Sequence, residues 1–375
     1  MAKVLVTGGA GFIGSHLVDA LVARGHEVRV YDSLEPQVHG PGGRRPDYLN
    51  PAAELIVGEM TDRAALRAAL AGVEVVFHQA AAVGVAQSMY EIARYVDKNA
   101  LGVAVLLDIL TNERDRLAVR RLITASSMSI YGEGQYRCAE HGIVYPKLRP
   151  KEQFERGDWE MHCPRCDRHV APEPTPEDKP LSPTSVYAIT KRDHEELCLA
   201  VGWALGIPTI ALRYFGVYGP RQALGNPYTG VLAIFSTRLL NGNPPVVYED
   251  GQQIRDLVHV SDIVQGNLLA MEREEVAYEV FNIGTGRPLR VLEVAAALCR
   301  ELNPAVAPQV AGQFRAGDIR HCYADIGKAR ALLGYAPAMP FEDGLRDLLG
   351  WVRGQRAEDA FDQAQQELRR RGLVV

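Results

Sequence analysis

The stretch KVLVTGGAGFIGSHLVDALVARGHEVRVYDS, residues 3–33, combines a short apolar strand, a glycine-rich turn, an amphipathic helix and a second strand. Val4–Val6 has the composition of a buried parallel strand. Apolar residues then recur at helical spacing: Phe12, Leu17, Val18, Leu21 and Val22. This order predicts a βαβ unit, and with the segments that follow it predicts an α/β fold with a doubly wound parallel sheet.

Three glycines, Gly8, Gly11 and Gly14, mark the turn. Such a turn needs glycine because the backbone must fold sharply, approach a pyrophosphate closely and pack its helix against the strand. Asp32 ends the second strand, where its carboxylate can accept hydrogen bonds from both ribose hydroxyls. An arginine there would suit a 2′-phosphate, so NAD is favoured over NADP. Glycines that merely serve a turn are the alternative, and this context disfavours it.

Composition narrows the class of protein. The 375 residues are 47% hydrophobic and 23% charged with a formal net charge of -5, which gives no basic footprint for nucleic acid. No apolar run reaches the roughly 18 residues of a membrane span, and the amino terminus lacks the pattern of a signal peptide. We therefore expect a cytoplasmic protein without a membrane partner. Its six cysteines should be reduced, so a clustered pair indicates metal or redox chemistry.

Further strands follow at regular intervals, in ELIVGEM (54–60), VEVVFHQAA (73–81) and VRRLITASS (119–127). Ligands of such a sheet bind at the carboxyl ends of the strands. Glu59 and Met60 end the third strand and are expected to meet the adenine. Ala80 and Ala81 end the fourth, where small side chains leave room for the cofactor.

A possible catalytic pair lies in YAITK, where Tyr187 and Lys191 are four residues apart and share one helix face. A phenol with a pKa of about 10 is a poor base at neutral pH unless a neighbouring ammonium stabilises the phenolate. A solvated Tyr and Lys would be the ordinary interpretation of this spacing alone. The glycine turn makes the catalytic interpretation the stronger one.

Six motifs in this order resemble the extended short-chain dehydrogenase/reductase family, the group of NAD-dependent nucleotide-sugar epimerases and dehydratases. They are TGGAGFIG (7–14), SSMSIYG (126–132), YAITK (187–191), LRYF (212–215), RDLVHVSDI (255–263) and FNIGTG (281–286). The resemblance implies that Ser127 hydrogen-bonds the reacting hydroxyl, that Tyr187 is the acid/base, and that Lys191 binds ribose. Together with the residues already named, the resemblance gives the full set of expected cofactor contacts: Gly8, Gly11, Phe12, Ile13, Gly14, Asp32, Glu59, Met60, Ala80, Ala81, Asn99, Tyr187, Lys191 and Tyr214.

The residues after Ser127 bear on the reaction. Dehydratases of the family carry an Asp-Glu pair there, which supplies an acid and a base for elimination, whereas this chain has Met128 and Ser129. The resemblance then favours a nucleotide-sugar 4-epimerase that oxidises C4 to a 4-keto sugar and returns the hydride to the opposite face. A dehydratase, decarboxylase or dehydrogenase is the alternative. A non-catalytic NAD-binding sensor or scaffold is a further one, against which the intact trio argues.

The second half should bind a dTDP- or UDP-linked sugar. Arg255 and Arg315 match positions where the family grips the pyrophosphate, a task that suits the planar guanidinium fork. Val246 and Tyr248 are expected walls for the base, and Ser88 is expected to read a sugar hydroxyl or to cap a helix. Gly216 replaces a family asparagine, which leaves only a backbone N–H for the substrate. The resemblance also implies a homodimer formed through helices within 88–110 and 184–205.

A long, proline-rich segment separates Tyr131 from Tyr187, and its prolines are expected to exclude helix. It contains two ligand-x-x-ligand pairs, Cys138 with His141 and Cys163 with Cys166, the arrangement of a structural, tetrahedral zinc site. His162 or His169 in place of His141 is the alternative ligand. A thioredoxin-like role is disfavoured because CPRC lacks the strand-to-helix context that lowers a thiol pKa.

The predicted organisation has four parts. Residues 1–132 with 181–213 form the Rossmann NAD-binding domain, 133–180 the zinc-knuckle insertion, 214–350 mainly a smaller C-terminal α/β substrate lobe, and 351–375 a helical tail.

Overall fold

The computed structural model describes residues 1–315 and 317–374. The strands are β1 (Lys3–Thr7), β2 (Glu27–Asp32), β3 (Glu54–Val57), β4 (Val75–His78), β5 (Arg121–Ser127), β6 (Gln135–Cys138), β7 (Gly142–Val144), β8 (Ala171–Glu173), β9 (Thr209–Tyr214), β10 (Gly216–Tyr218), β11 (Val246–Val247), β12 (Ile254–Arg255), β13 (Leu257–His259), β14 (Glu279–Ile283), β15 (Leu289–Arg290), β16 (Gln309–Val310) and β17 (His321–Cys322).

The α-helices are α1 (Phe12–Ala23), α2 (Pro36–His39), α3 (Arg63–Ala69), α4 (Val85–Ser88), α5 (Ile92–Tyr95), α6 (Gly102–Asn112), α7 (Lys151–Glu155), α8 (Val186–Leu205), α9 (Val231–Leu240), α10 (Val260–Glu272), α11 (Val291–Leu302), α12 (Gly327–Leu333), α13 (Phe341–Val352) and α14 (Phe361–Arg370). A π-helical turn, Val96–Leu101, joins α5 to α6, and 3-10 turns span Arg114–Arg116 and Met128–Tyr131. Within the described ranges, no helix combines the length and the apolar character that a membrane crossing requires.

The main sheet has the order β14-β9-β5-β4-β1-β2-β3, with every neighbouring pair parallel. Alternate residues of β1 enter different cores: Val4 and Val6 pack in one apolar cluster, and Leu5 packs in another. Both faces of the sheet are therefore covered by helices, as parallel sheets require. The predicted α/β, doubly wound fold is confirmed.

The substrate lobe shares its chain with this sheet. Within the range 214–350, β14 pairs with β9 at the sheet edge, so this range belongs partly to the Rossmann domain. Sequence patterns do not reveal such long-range pairing, because the strand itself has no feature that names its neighbour. The remaining strands of the lobe form small sheets, β10-β13, β11-β16 and β15-β12-β17, around a separate apolar core with α9, α11 and α13.

The insertion is a small unit with its own sheet, β7-β6-β8. The side chains that it buries together are Tyr136, Cys138, Val144, Met161, Cys163 and Val170. The expectation that its prolines exclude helix is wrong, since α7 forms immediately after Pro150. Proline is tolerated at a helix start because the first N–H groups have no intrahelical acceptor to reach.

Candidate active site

The glycine turn after β1 leaves no space for a side chain at Gly8 or Gly14. Gly8 has φ +68°, and a Cβ there would lie 2.8 Å from the Ala80 Cα at the end of β4. A Cβ on Gly14 would lie 2.2 Å from the Gly8 carbonyl oxygen. Gly11 caps α1, so the helix N–H groups of Phe12 and Ile13 begin where the turn ends. The resulting cradle of bare backbone at a helix amino terminus fits the pyrophosphate of a dinucleotide.

Asp32 stands at the end of β2 with its carboxylate fixed by two backbone donors. Oδ2 accepts from Ala10 N at 3.0 Å, and Oδ1 accepts from Leu34 N at 2.9 Å. A carboxylate has further lone pairs, which remain free to accept from ribose hydroxyls. This arrangement suits NAD, and a 2′-phosphate there would meet a negative charge.

The segments that follow β3 and β4 form the next part of the cofactor cleft. Met60 is buried in the core, while the carboxylate of Glu59 is paired with Lys98 on the surface. Their contact with adenine therefore stays a prediction. Asn99 lies in the π-helical turn, where its amide brackets Ala82 by accepting from its N–H at 2.7 Å and donating to its carbonyl at 3.1 Å.

Asn99 also donates to Thr190 Oγ1 on α8 at 3.0 Å. It thereby connects the chain that follows Ala80 and Ala81 to the helix that carries Tyr187. Tyr214, at the end of β9, hydrogen-bonds Gln79 at 3.1 Å. These polar contacts hold the ends of β4 and β9 at fixed positions around the cleft.

Ser127 and Tyr187 come together from different elements. Ser127 is the last residue of β5, and Tyr187 lies in the first turn of α8, which Ser185 caps through its side chain. Burial raises the pKa of the Tyr187 phenol above its ordinary value, and a hydrogen bond from Ser127 opposes that rise. Lowering this pKa further requires a nearby positive charge.

Lys191 supplies a buried ammonium one helical turn after Tyr187. Its Nζ donates to the Ala125 carbonyl and lies 3.5 Å from His194 Nδ1. Burial lowers the pKa of Lys191 to about 8. Burial lowers the pKa of His194 well below its ordinary value, so the imidazole next to the lysine is neutral near pH 7. The ring of His78 lies against that of His194, with centroids 4.3 Å apart, and burial lowers the pKa of His78 to about 3.

One cavity of about 370 Å³ joins Ser127 and Tyr187 to the substrate lobe. Its described walls include segments 127–129, 214–217, 227–232, 246–249, 255–257 and 317–319, with Tyr187, Arg315 and Phe361. Met128 and Ser129 line it directly after Ser127, and the Ser129 hydroxyl donates to Ser127 Oγ at 2.9 Å. Neither side chain is an acid or base able to eliminate water.

Arg255 and Arg315 are the cationic side chains among the described residues that line the cavity. Arg255 is held by backbone carbonyls, including that of Ile319 at 2.8 Å from Nη2. Arg315 pairs with Asp318 at 2.8 Å and lies 4.7 Å over the ring of Tyr248. The two guanidinium groups thus reach one cavity from separate segments, as a diphosphate site requires.

Val246 and Tyr248 line the same cavity, and the buried hydroxyl of Tyr248 has no hydrogen-bond partner. Phe361, at the start of α14, also lines the cavity and is not among the residues that the sequence predicts for the site. Its guanidinium neighbour, Arg238, lies 4.5 Å over its ring. The apolar face of the tail helix was the available signal, but its position over the cleft was not readable from the sequence.

For two residues that the sequence assigns to the substrate, Ser88 and Gly216, the structure shows hydrogen bonds within the protein instead. Ser88 is fully buried: its hydroxyl donates to the Val85 carbonyl at 2.7 Å and accepts from Tyr187 N at 3.0 Å. It therefore holds the start of α8, and its hydroxyl is not free for a sugar. Gly216 lines the cavity, but its N–H already donates to the Asp256 carbonyl at 2.9 Å. A Cβ at Gly216 would lie 2.9 Å from the same oxygen, so this backbone has no room for asparagine.

The four predicted metal ligands lie together in the insertion. Cys138 Sγ is 3.7 Å from Cys166 Sγ and 3.5 Å from His141 Nδ1, and Cys163 Sγ is 3.6 Å from the same nitrogen. Tetrahedral ligands about 2.3 Å from zinc stand about 3.8 Å apart, which matches these separations. The alternative ligands, His162 and His169, are grouped separately with Asp158.

This chain is similar over most of its length to proteins of one known family. The sequence model of the NAD dependent epimerase/dehydratase family matches residues 4–156 and 166–284. A dTDP-L-rhamnose 4-epimerase from Burkholderia thailandensis is 37% identical over 357 residues, covering 93% of this chain and 94% of the relative. A putative UDP-glucose 4-epimerase from Methanocaldococcus jannaschii is 29% identical, covering 93% of this chain and 98% of the relative.

Solved structures agree in fold over nearly the whole chain. UDP-glucose 4-epimerase from Thermotoga maritima, with UDP-glucose, has a TM-score of 0.75 and 32% identity, covering 94% of this chain and 98% of that one. UDP-glucose 4-epimerase from Thermus thermophilus, in complex with NAD, has a TM-score of 0.73 and 30% identity, covering 94% and 100%.

Proposed function

The chain belongs to the NAD dependent epimerase/dehydratase family, and we propose that it is an NAD-dependent 4-epimerase of a nucleotide-diphosphate sugar. The observation that carries this proposal is the single cavity that contains Ser127 and Tyr187 together with Arg255 and Arg315. Such a cavity accepts a sugar at the first pair of residues and a diphosphate at the second.

The cofactor site is assigned to the cradle formed by Gly8, Gly11 and Gly14, with Asp32 accepting from the adenosine ribose and Lys191 donating to the second ribose. NAD bound there supplies the acceptor for the C4 hydride and the donor that returns it. The lack of space at Gly8 and Gly14 supports this assignment, because the bare turn exposes backbone donors that a pyrophosphate needs.

Tyr187 acts as the acid/base. As a phenolate it takes the proton of the C4 hydroxyl while Ser127 donates a hydrogen bond to the same oxygen. The ammonium of Lys191 stabilises the phenolate, opposing the rise in pKa that burial imposes on Tyr187. The 4-keto sugar then turns over in the cavity, and Tyr187 returns the proton to the oxygen after reduction of the other face. Met128 and Ser129 leave the intermediate intact, since neither can act as the acid or base of dehydration.

The sugar is a neutral hexose or 6-deoxyhexose carried on dTDP or UDP. A uronate would place a carboxylate in the cavity, and the lining cations, Arg255 and Arg315, are already needed for two phosphates. The remaining walls near Ser127 include Val85, Ala86 and Met128, which suit an apolar C5 substituent. dTDP-L-rhamnose, the substrate named for the Burkholderia relative, fits this description.

The insertion is proposed to hold one structural zinc ion through Cys138, His141, Cys163 and Cys166. Four ligands leave no open coordination position, so the ion would stabilise the fold without taking part in chemistry. The support is the match between the ligand separations and tetrahedral geometry. A reducing cytoplasm would keep these thiols available for the metal.

The enzyme is proposed to act as a homodimer. Ile92, Val96 and Leu101 are exposed along α5 and the π-helical turn, and Ile189 and Leu197 are exposed on the neighbouring α8. Large apolar side chains grouped on adjacent helices are typical of a covered surface. Replacing Ile92 and Ile189 by lysine should convert a dimer to a monomer in light scattering, and a wild-type monomer would contradict the proposal.

The test of the function is incubation of the purified protein with a panel of dTDP-, UDP- and GDP-sugars, with C4 configuration followed by NMR. Epimerisation of a dTDP- or UDP-linked neutral sugar, abolished in Tyr187→Phe, is expected. Tyr145→Phe, at an exposed tyrosine of the insertion, is the matched control and should keep full activity. If no sugar is epimerised, or if Tyr187→Phe matches wild type, the proposed function is wrong.

A further inference from the structure

A group of charges with a buried centre and a partly exposed edge connects the insertion to the substrate lobe. It contains Arg149 and Glu160 of the insertion, Glu249 and Asp250 after β11, and Arg320 before β17, and we call it the anchor cluster. The side chains of Arg149, Glu249 and Arg320 are 1%, 2% and 0% exposed. Buried charges of this kind are strongly destabilised when a partner is removed.

Both arginines of the cluster bind the Glu249 carboxylate. Arg149 grips this carboxylate bidentately, with Nη2 to Oε1 at 2.9 Å and Nη1 to Oε2 at 3.0 Å. Arg320 Nη1 reaches Oε2 at 2.7 Å. Arg320 also donates to Asp250 at 2.9 Å and to Glu160 at 2.5 Å. The insertion and the substrate lobe therefore share one set of hydrogen bonds.

Glu249 has a strained backbone conformation and lies next to Tyr248, the expected wall for the nucleotide base. Its φ is +52°, in the left-handed region that a residue with a side chain rarely adopts, and it directly follows Tyr248. Surrounding contacts must hold such a backbone in place. Glu249 N donates to the Gln313 carbonyl at 2.7 Å, so the same residue connects the Tyr248 turn to the segment that leads to Arg315.

A second contact from the insertion reaches this segment. Phe154 of α7 stacks on Phe314 with ring centroids 4.0 Å apart and planes 10° apart. The Arg149 guanidinium lies 4.5 Å over the Phe154 ring. Phe314 is the neighbour of Arg315 in sequence, so one arginine of the insertion supports both the Tyr248 turn and the Arg315 segment.

The insertion itself stays outside the cavity, because the described lining residues include none from 133–180. We infer that the insertion is a positioning element for the nucleotide-diphosphate end of the substrate, with Arg149 as its principal positioning residue. Arg149 fixes the position of Glu249. Through Glu249 it also positions Tyr248, the proposed wall of the nucleotide-base site, and Arg315, the proposed phosphate contact. This inference rests on the proposed function, because it concerns the same substrate site.

The test compares Arg149→Met and Arg149→Lys with Arg137→Met, which removes an exposed insertion arginine paired with Glu173 on the surface. Binding of dTDP and of UDP is measured by calorimetry, NAD content by absorbance, and KM and kcat with the sugar found active. Arg149→Met should weaken nucleotide binding and raise KM by about tenfold or more, equivalent to about 1.4 kcal/mol. NAD content and kcat at saturation should stay near wild type, and Arg149→Lys should recover part of the loss.

Arg137→Met should match wild type in every measurement. Unchanged nucleotide binding in Arg149→Met that retains NAD would overturn the inference, as would a loss in kcat without a change in KM. If Arg149→Met fails to fold, Phe154→Leu replaces it under the same criteria, because it removes the ring stack on Phe314 and retains an apolar side chain. A wild-type protein that binds neither dTDP nor UDP would instead refute the proposed function, whatever the variants do.

Discussion

Substitutions in the glycine turn can separate two effects: the packing of α1 against the turn, and the approach of the cofactor pyrophosphate to the turn. In Gly14→Ala the new Cβ would stand 2.2 Å from the Gly8 carbonyl oxygen and 2.7 Å from the Gly9 Cα. Both are backbone atoms, so the turn and α1 must separate by about 1 Å, and overpacking of this kind costs about 1–3 kcal/mol. The better helix propensity of alanine returns up to about 1 kcal/mol. Because the contacted atoms are backbone, the overpacking cost should lie in the upper part of that range, about 2–3 kcal/mol, which leaves a net loss of about 1–2 kcal/mol in the free energy of unfolding.

Gly11→Ala is the matched control. Its Cβ would lie 3.4 Å from the Gly8 carbonyl oxygen, an ordinary contact, and its φ of -74° suits alanine. Alanine is a poorer helix N-cap than glycine, so the NAD-free protein should lose no more than about 1 kcal/mol relative to wild type. NAD affinity should nevertheless fall, because the methyl group stands at the helix start where the pyrophosphate approaches.

The assay is urea unfolding of NAD-free protein together with calorimetric titration of NAD. Gly14→Ala should lose both stability and NAD affinity, whereas Gly11→Ala should lose affinity with a smaller loss of stability. Equal stability of Gly14→Ala and wild type would refute the packing argument. A Gly11→Ala variant with wild-type NAD affinity would refute the assignment of this turn to the pyrophosphate.

Three further predictions follow from the site and the insertion. Burial lowers the pKa of Lys191 from 10.5 to about 8, so between these two pH values the unfolded chain binds one more proton than the folded protein, and the stability that depends on this group rises with pH. In urea unfolding, NAD-free Lys191→Met should be more stable than wild type near neutral pH, and this gain should shrink as the pH rises from about 8 to 10.5. A difference that does not change with pH would contradict the buried ammonium. Elemental analysis should find about one zinc ion per chain in wild type and in the control Cys299→Ser, but almost none in Cys163→Ser, whose melting temperature should also fall. Zinc retained by Cys163→Ser would exclude this ligand set. Phe361→Ala should weaken dTDP binding about tenfold in calorimetry with NAD affinity unchanged, and an unaltered dTDP affinity would remove the tail helix from the substrate site.

Local patterns in the sequence predicted much of the cofactor half. The turn and helix after β1 depend on residues within one continuous stretch, so spacing alone indicated their structure. Tyr187 and Lys191 share a helix face for the same reason, and each predicted ligand pair, Cys138 with His141 and Cys163 with Cys166, spans one short turn. Interactions within a few residues are readable because the backbone geometry of a helix or turn sets them.

Contacts between distant segments account for the differences. The sequence leaves Ser88 open as a sugar contact or a helix cap, whereas the structure packs it under the start of α8, where its hydroxyl accepts from Tyr187 N, 99 residues away. Gly216 was expected to offer an N–H that the structure pairs with Asp256. Phe361 was missed because a tail helix carries no local mark of the cavity that it meets.

The sequence by itself determined the fold class, the position of the glycine turn, the shared helix face of Tyr187 and Lys191, and the spacing of the Cys/His ligand pairs. Only the tertiary structure decided which groups share the cavity and what the insertion touches. The bidentate pair of Arg149 with Glu249 spans 100 residues, and neither residue has a sequence feature that names the other. The physical reason is that side-chain spacing within an element follows from backbone geometry, whereas the pairing of separate elements follows from packing the whole chain.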